Sequence, residues 1–355
     1  MEETDEQINT KKKQKQATIV DVAKQAKVAI STVSHVINGT ASISDKTKQK
    51  VLDVIAELDY KPNILARSLR QMKSNIIGVI VPDIENEFYA NATSEIFRIA
   101  GSYSDTIFMI DTGYSYEREK IDIEALVQRQ VQGLIFLGGS KDENLIDWAY
   151  QENVPVVLGD RRYKDYPSVE FDNFETMRNL VIWTFNKGYR RIGYISESID
   201  MTNLQDRYNG MREGLNHCGL TFNEQWVLND SWLRLEKLNA AKKVMQKLLK
   251  DIERKNMPEI FLTSSDMIAV GIMDALIQNG YQIPDDIAVV GYDDIRLVQY
   301  YNPPITTVRQ DCKQLGASCY QLLKDSMEGN AQNKHIILKN NIIERKSVKI
   351  KKEEN

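Results

Sequence analysis

The chain has 355 residues, 42% of them apolar and 27% charged, which excludes wholesale disorder and is too long for one small core, so two or three folding units are expected. The net charge of −4 is unevenly spread: from Thr10 to Lys73 thirteen Lys and Arg stand against five Asp and Glu, while residues 74–355 hold 33 against 41. A basic N-terminal part on an acidic body favours a polyanion partner for the first part alone.

Residues 1–16, MEETDEQINTKKKQKQ, are charged and lack the apolar stretch of a secretory signal; they are expected to be disordered. Thr18, followed three residues later by Asp21, is a helix start signal, and Ile19, Val22, Ala23 and Ala26 supply a helix-spaced apolar face. After a short break at KVA, Ile30 to Ile37 reads as a second helix that Gly39 ends. Val33, Val36 and Ile37 point inward, which leaves Ser31, Thr32, Ser34, His35 and Asn38 partly outward. A third helix is capped by Ser44 and turns Val51, Leu52, Ile55 and Leu58 toward the other two. Three short helices with a three-residue break between the first two form a helix-turn-helix unit over residues 17–61. The second helix could be the solvated face of any small bundle. The lysine excess and the small hydrogen-bonding side chains favour entry into a DNA major groove.

Pro62 breaks the third helix, and Asn63 can cap a short new one carrying Ala66, Arg67, Leu69 and Arg70. So short a helix is marginal alone, which suits residues 62–73 as a coupling hinge. From residue 74 to 345 near-continuous apolar runs such as IIGVIVPD, VQGLIFLGG, VPVVLGD, EIFLTS and IAVVGYDD alternate with amphipathic stretches. That pattern predicts an α/β core of two parallel sheets flanked by helices. PPITTVRQD and the helix after it come late, as in a chain that crosses back to the first sheet. Open parallel sheets bind ligands at the carboxyl ends of their strands. Those ends carry Asp83, Asn86, Phe88 and Tyr89, then Asp160 and Arg161, Ser265 and Asp266, and Asp293 and Asp294. Carboxylates, amides, an arginine and rings converging on one cleft suit a polyhydroxylated ligand. Cys218, Cys312 and Cys319 make neither an even framework nor metal spacing. A reduced, cytoplasmic protein without metal or other cofactor is expected. No apolar run reaches membrane-spanning length. There is no GxGxxG fingerprint or Ser-His-Asp pattern to suggest an enzyme, and His217 and His335 read as ordinary surface or helix-end residues.

The stretches TIVDVAKQAKVAISTVSHVING, YKPNILARSL, IGVIVPDIENEFYA, DMIAVGIMDAL, IPDDIAVVGYDDI and PPITTVRQD, in this order, resemble the lactose-repressor/galactose-repressor (LacI/GalR) family of bacterial transcription regulators from Thr18 to Arg345. The resemblance implies a helix-turn-helix headpiece, a hinge helix, and a two-lobed core like periplasmic sugar-binding proteins. It also implies a homodimer, bound near the nucleoid to a pseudo-palindromic operator of double-stranded DNA and controlled by a small effector. Its first lobe would take residues 74–171 and 303–328, its second 172–302 and 329–345, and 346–355 would be a flexible tail. Ile30, Ser31 and His35 match the family's base readers. Thr18, Ser34 and Asn38, with Thr32 beside them, match its phosphate-contacting and framework positions. Asn63, Ala66 and Arg67 fall in the hinge, and Leu69 matches the leucine that wedges into a minor-groove base step.

In the core, Asp160 and Arg161 match a pair that grips sugar hydroxyls in ribose-type binding proteins, which favours a pentose such as ribose. Asp293 matches the effector aspartate, and Asn86 and Phe88 match cleft residues. Glu87 stands where a proline is usual, Ser265 replaces a frequent asparagine, and Gln205 stands where many relatives carry an effector arginine, with Arg207 two residues on. Trp232 is either a stacking ring over the sugar or a core residue. The alternative within the family is a global carbon-catabolite regulator that answers to a phosphocarrier protein rather than to a sugar. A free-standing sugar-binding protein fits the basic headpiece poorly. The tail has no leucine heptads, so a dimer is expected rather than a coiled-coil tetramer.

Overall fold

The computed structural model describes residues 17–60, 74–139, 143–331 and 334–351. The chain forms two compact units that divide between Ser74 and Asn75. In the first, α1 (Ile19–Ala26) opens on a reciprocal cap: the Thr18 hydroxyl accepts the Asp21 N–H, and the Asp21 carboxylate accepts the Thr18 N–H at 2.9 Å. Lys27, in the left-handed region at φ 52°, turns the chain into α2 (Ile30–Asn38). Gly39, at φ 65°, closes α2, a conformation that glycine adopts without a Cβ penalty. Ser44 caps α3 (Asp45–Glu57) by accepting the Thr47 N–H. Val22, Ala23, Ala26, Val33, Val51 and Val54 form the buried centre, with Ile37 and Tyr60 packed against it. Asn63, Ala66, Arg67 and Leu69 lie outside the described residues, as do residues 1–16.

The second unit is two lobes, each a doubly wound sheet. The first lobe runs β1 (Ile76–Val81), α4 (Glu87–Ser102), β2 (Thr106–Asp111), α5 (Tyr116–Gln128), β3 (Gly133–Leu137), α6 (Asn144–Gln151), β4 (Val156–Gly159) and β5 (Ser168–Phe171). The chain then enters the second lobe through α7 (Asn173–Asn186), β6 (Ile192–Glu197), α8 (Thr202–His217) and β7 (Val227–Asp230). It continues with α9 (Trp232–Leu235), α10 (Lys237–Asp251), β8 (Ile260–Thr263), α11 (Asp266–Gln278), β9 (Ala288–Asp293), α12 (Arg296–Tyr300) and β10 (Thr306–Arg309). It returns to the first lobe for α13 (Cys312–Met327) and β11 (His335–Leu338), and ends in the second with β12 (Asn341–Ile343). The sheet orders are β11-β5-β4-β3-β1-β2 and β12-β10-β9-β8-β6-β7, so the lobes repeat one topology. Among the described residues all pairings are parallel except β10 with β12.

This threading corrects the expected lobe boundaries. Thr306–Arg309 does not cross back but pairs with β9, with Thr306 opposite Val290 and Arg309 opposite Asp293. The crossing comes one strand later, and α13 then covers the first sheet. Its Gly316 sits so close to α4 that a Cβ there would collide with the Ala92 carbonyl oxygen. His335–Leu338, expected in the second lobe, pairs with β5 of the first. Residues 346–351 are not a loose tail either. Ser347 donates to the Val289 carbonyl at 2.6 Å, Val348 is buried in the second lobe, and the Lys351 N–H reaches the Lys187 carbonyl at 2.9 Å. The lysine-rich composition conceals these three anchors.

Candidate functional site

Among the described residues the candidate side chains fall on two surfaces, one in each unit. In the first unit the inward face of α2 is taken up by Val33, Val36 and Ile37. Ser31 and His35 are therefore exposed, Thr32 and Ser34 half-buried, and Ile30 is 40% exposed although apolar. His35 Nδ1 lies 2.8 Å from the Thr40 hydroxyl, which fixes the ring at the surface. Thr18 is exposed and holds the start of α1; Asn38 is the last residue of α2. Residues 17–60 are charge-balanced, with five Lys against five Asp and Glu. The basic excess of the N-terminal part falls in residues 10–16 and 61–73, outside the described residues.

The second surface is the cleft between the two lobes. In each sheet the strand order reverses between the first and third strands of the lobe, β1 and β3 or β6 and β8. Loops at such a switch point diverge and leave a crevice at the strand carboxyl ends. The first lobe lines it with Asn86, Phe88 and Tyr89 after β1, Tyr114 after β2, Gly138 and Gly139 after β3, and Asp160 after β4. The second supplies Glu197, Asn203 and Arg207, then Arg234 and Lys237, then Ser264, Ser265, Asp293 and Gln310. Asp160 and Asp293 hold equivalent places at the ends of β4 and β9, and both take left-handed backbone, at φ 58° and 115°. Aspartate tolerates that region better than most residues.

Direct bonds close the lobes on each other. Asn203 Nδ2 donates to Asp160 Oδ2 at 2.7 Å across the cleft. On one rim the Arg162 guanidinium forks onto Asp206 at 2.6 and 3.0 Å, and the Arg162 N–H reaches the Thr202 hydroxyl at 3.2 Å. On the other, both carboxylate oxygens of Glu87 accept the Arg296 N–H at 3.1 Å, capping α12. Glu87 thus bonds the opposite lobe. The closed cleft encloses about 40 Å³, far below the roughly 300 Å³ of typical small-molecule sites. A sugar-sized ligand therefore enters only when the lobes part. Half-exposed ion pairs such as Arg162–Asp206 each contribute about 0–1 kcal/mol, so a ligand that bridges the lobes can decide their position.

Burial dominates the acid–base behaviour of the cleft. It pushes the Asp293 carboxyl up to about 7, with Arg207 and Lys237 pulling it back and Asp160 and Glu197 adding to the rise. Asp160 is pushed up to about 6 by burial, against the Arg207 charge and the Asn203 bond. Asp266, behind the cleft, is raised by burial and then by Asp293; it accepts from the Thr307 hydroxyl at 2.6 Å and the Ile295 N–H at 2.8 Å. Burial lifts Tyr89 well above the phenol range and Tyr114 to about 12, so both remain neutral donors at physiological pH.

Of the sequence candidates, Asn86, Phe88, Asp160, Arg207, Ser265 and Asp293 come together in the cleft. Three do not. Arg161 is buried behind it, with Nη1 on the Gly138 carbonyl at 3.2 Å and Nη2 on Glu143 at 3.1 Å. It positions the Gly138–Gly139 loop rather than gripping a ligand. Gln205 is exposed, because two residues along a helix are about 200° apart and Arg207 takes the inward direction. Trp232 is 65% exposed with Lys243 over its ring at 5.7 Å, so it is neither core nor part of the cleft lining. Sequence reasoning missed Tyr114, Glu197 and Gln310, which the strand-end rule would have found. It also missed Asn203, Arg234 and Lys237, for which no local signal exists.

Comparison with known proteins agrees with this architecture. The profile of bacterial regulatory proteins of the lacI family matches residues 18–63, and that of the periplasmic binding protein-like domain matches residues 184–348. The chain is 31% identical over 334 residues to the HTH-type transcriptional regulator RegA of Clostridium saccharobutylicum, spanning 93% of this chain and 98% of that one. It is 32% identical over 312 residues to catabolite control protein A of Staphylococcus aureus, spanning 87% and 92%. The lac repressor dimer bound to operator and the anti-inducer ONPF superimposes with a TM-score of 0.82 at 26% identity, over 94% of this chain and 99% of that one. No helix among the described residues is long and apolar enough to cross a membrane. The chain belongs to the lacI family of bacterial regulatory proteins, which are transcription regulators and not enzymes.

Proposed function

We propose that this regulator is a repressor of a carbohydrate-utilisation operon. As a cytoplasmic homodimer it binds a pseudo-palindromic operator, and a sugar or sugar-derived effector in the interlobe cleft sets its DNA affinity. The observation that carries the effector half is the convergence of Asp160, Asn203, Arg207, Asp293 and Gln310 from both lobes on one crevice. Ile30, Ser31 and His35 would read base edges, with Thr18, Thr32, Ser34 and Asn38 serving phosphates and framework. Asn63, Ala66, Arg67 and Leu69 retain the hinge roles that the resemblance gives them. Dimerisation is supported by apolar surface left exposed on each lobe: Phe97, Tyr103, Phe108 and Met109 on the first, Ile277, Leu297 and Tyr300 on the second. The lac repressor neighbour is itself a dimer on operator.

An effector can shift DNA binding only through its different affinity for two lobe arrangements. Ribose loses its particular support, since Arg161 is not part of the cleft lining and its guanidinium is held by Gly138 and Glu143. The test is operator binding by the full chain, on a site selected from random DNA, with and without sugars that raise its melting temperature. A loss of affinity marks induction and a gain marks corepression. Sugars that stabilise the protein without moving the operator titration would sink the regulatory reading, and a blank against every sugar would return it to a phosphocarrier-controlled regulator.

The charge distribution adds a separate expectation for the DNA half. Replacing Lys11, Lys12, Lys13 and Lys15 with glutamine should flatten the salt dependence of binding by about 0.9 in log–log slope per lost phosphate contact. Preference for operator over random DNA should survive, because those lysines carry no base readers. Titrations at several potassium concentrations give the slope. An unchanged slope would place the phosphate contacts elsewhere.

A further inference from the structure

We propose that the effector is an uncharged polyhydroxylated molecule whose hydroxyls satisfy Asp160 and Gln310, and that the cleft disfavours its phosphorylated and carboxylated derivatives. This rests on the reading of the cleft as a sugar site and narrows it to one charge class.

Two buried atoms in the cleft carry the first half. Asp160 Oδ1 and Gln310 Nε2 have no hydrogen-bond partner among the described residues, although both residues are 3% exposed and both line the crevice. Polar atoms orphaned this deep are costly and favour a ligand that satisfies them. Their orientation is set by neighbours: Asp160 Oδ2 is occupied by Asn203, and Gln310 Oε1 accepts from Arg207 Nη2 at 3.1 Å. That leaves one acceptor and one donor unsatisfied on two residues that line the crevice. A hydroxyl serves both, since its proton goes to the carboxylate and its oxygen accepts from the amide.

The second half comes from the cations. Three line the cleft among the described residues, and each is already engaged. Arg207 uses Nε on Asn173 at 2.9 Å, Nη1 on the Ser264 carbonyl at 2.6 Å and Nη2 on Gln310, with its face 3.8 Å from the Tyr292 ring. Arg234 forks onto Asp200 and reaches the Ser198 carbonyl. Lys237 pairs with Glu197 at 2.9 Å. A phosphate or carboxylate would meet Asp160, Glu197 and Asp293 with no uncommitted cation to answer it. In a buried site like charges are screened little; an added anion reaches Arg234 or Lys237 only by breaking an ion pair, and Arg207 only by taking it from Asn173, Ser264 or Gln310.

The test is calorimetric titration of the full chain with ribose, xylose, arabinose, glucose and galactose, each beside its terminal phosphate, and with glucuronate and galacturonate. A neutral sugar should bind, its charged counterpart about tenfold or more weaker. Gln310→Leu should weaken the neutral sugar about tenfold. Glu197→Gln releases Lys237 and should shrink the penalty against the phosphate, while a substitution that merely loosens the fold would weaken both ligands alike. Binding of charged derivatives as tight as their parents, or a penalty unmoved in Glu197→Gln, overturns the inference and leaves the sugar reading in place. Silence from every neutral and charged sugar overturns the sugar reading itself and this inference with it.

Discussion

Asp293→Asn should raise the melting temperature of the core at pH 8 and remove its response to effector. The folded carboxyl titrates near 7, against an ordinary value of 3.8, chiefly because the ion is desolvated. The folded state therefore holds a proton that the unfolded chain has already released, and stability falls as pH rises from about 4 to about 7. Above 7 both states are ionised and the full cost of the buried charge remains. Asparagine carries no such charge, so the variant should gain about 3 °C or more at pH 8, a gap that narrows at pH 5 and closes near pH 4. The same titration governs ligand binding in the parent. A carboxylate accepts hydroxyl protons more strongly than the neutral acid does, so effector affinity should rise as pH increases through 7. Thermal melts at pH 5 and 8, with operator titrations at both, check each part. A variant less stable than the parent at pH 8 would mean that attraction from Arg207 and Lys237 outweighs the desolvation of Asp293.

Arg207→Ala should be the more damaging change, destabilising the core by about 3–5 kcal/mol, as removal of one partner from a buried ionic network does. One guanidinium ties the chain at two of its passages between lobes, through Asn173 beside the first and Gln310 at the second, and adds the Ser264 carbonyl at the end of β8. Its loss strips Gln310 Oε1 and Ser264 O of a donor and takes the main attracting charge from both Asp160 and Asp293. Both carboxyls should then titrate still higher. Lysine should rescue little, because a single ammonium cannot address three acceptors in the plane of a guanidinium or cover the Tyr292 ring as it does. Urea denaturation of parent, Arg207→Ala and Arg207→Lys measures this. A cost below about 1 kcal/mol would show that water replaces the guanidinium in an open cleft.

What could be read in advance was what the sequence encodes locally. Thr18 with Asp21, Gly39 and Ser44 mark helix ends through bonds or backbone angles spanning at most three residues, and the headpiece follows from them. The apolar strands were equally plain, but not their partners. Nothing in TTVR says that it lies beside AVVGYD rather than in the first sheet, because both sheets are built from similar buried runs. The cleft divides in the same way. Asp160 and Asp293 were found because they end strands, whereas Lys237 and Arg234 reach it from a short helix and the next helix start. Arg161 misled because its guanidinium is taken up by the Gly138 carbonyl and Glu143 and does not line the cleft.

The late return of α13 to the first lobe bears on how the protein is made. During translation the first lobe has β1 to β5 in hand once Phe171 is complete, yet the helix covering Ile77, Val79, Val157 and Val169 has not been synthesised. At ordinary elongation speeds of about 5–20 residues per second, that face waits for about 8–30 s until residue 327. The second lobe is completed later still, by β12 and the Ser347–Val348 anchor. The three-helix headpiece has no such wait, since every residue of its core precedes residue 61. A ribosome-bound chain can thus present a folded DNA-reading unit well before it has a core able to answer an effector. A stop codon or proteolytic cut between residues 171 and 327 would leave that headpiece attached to an exposed apolar sheet, a fragment for chaperones and proteases rather than a working half-regulator.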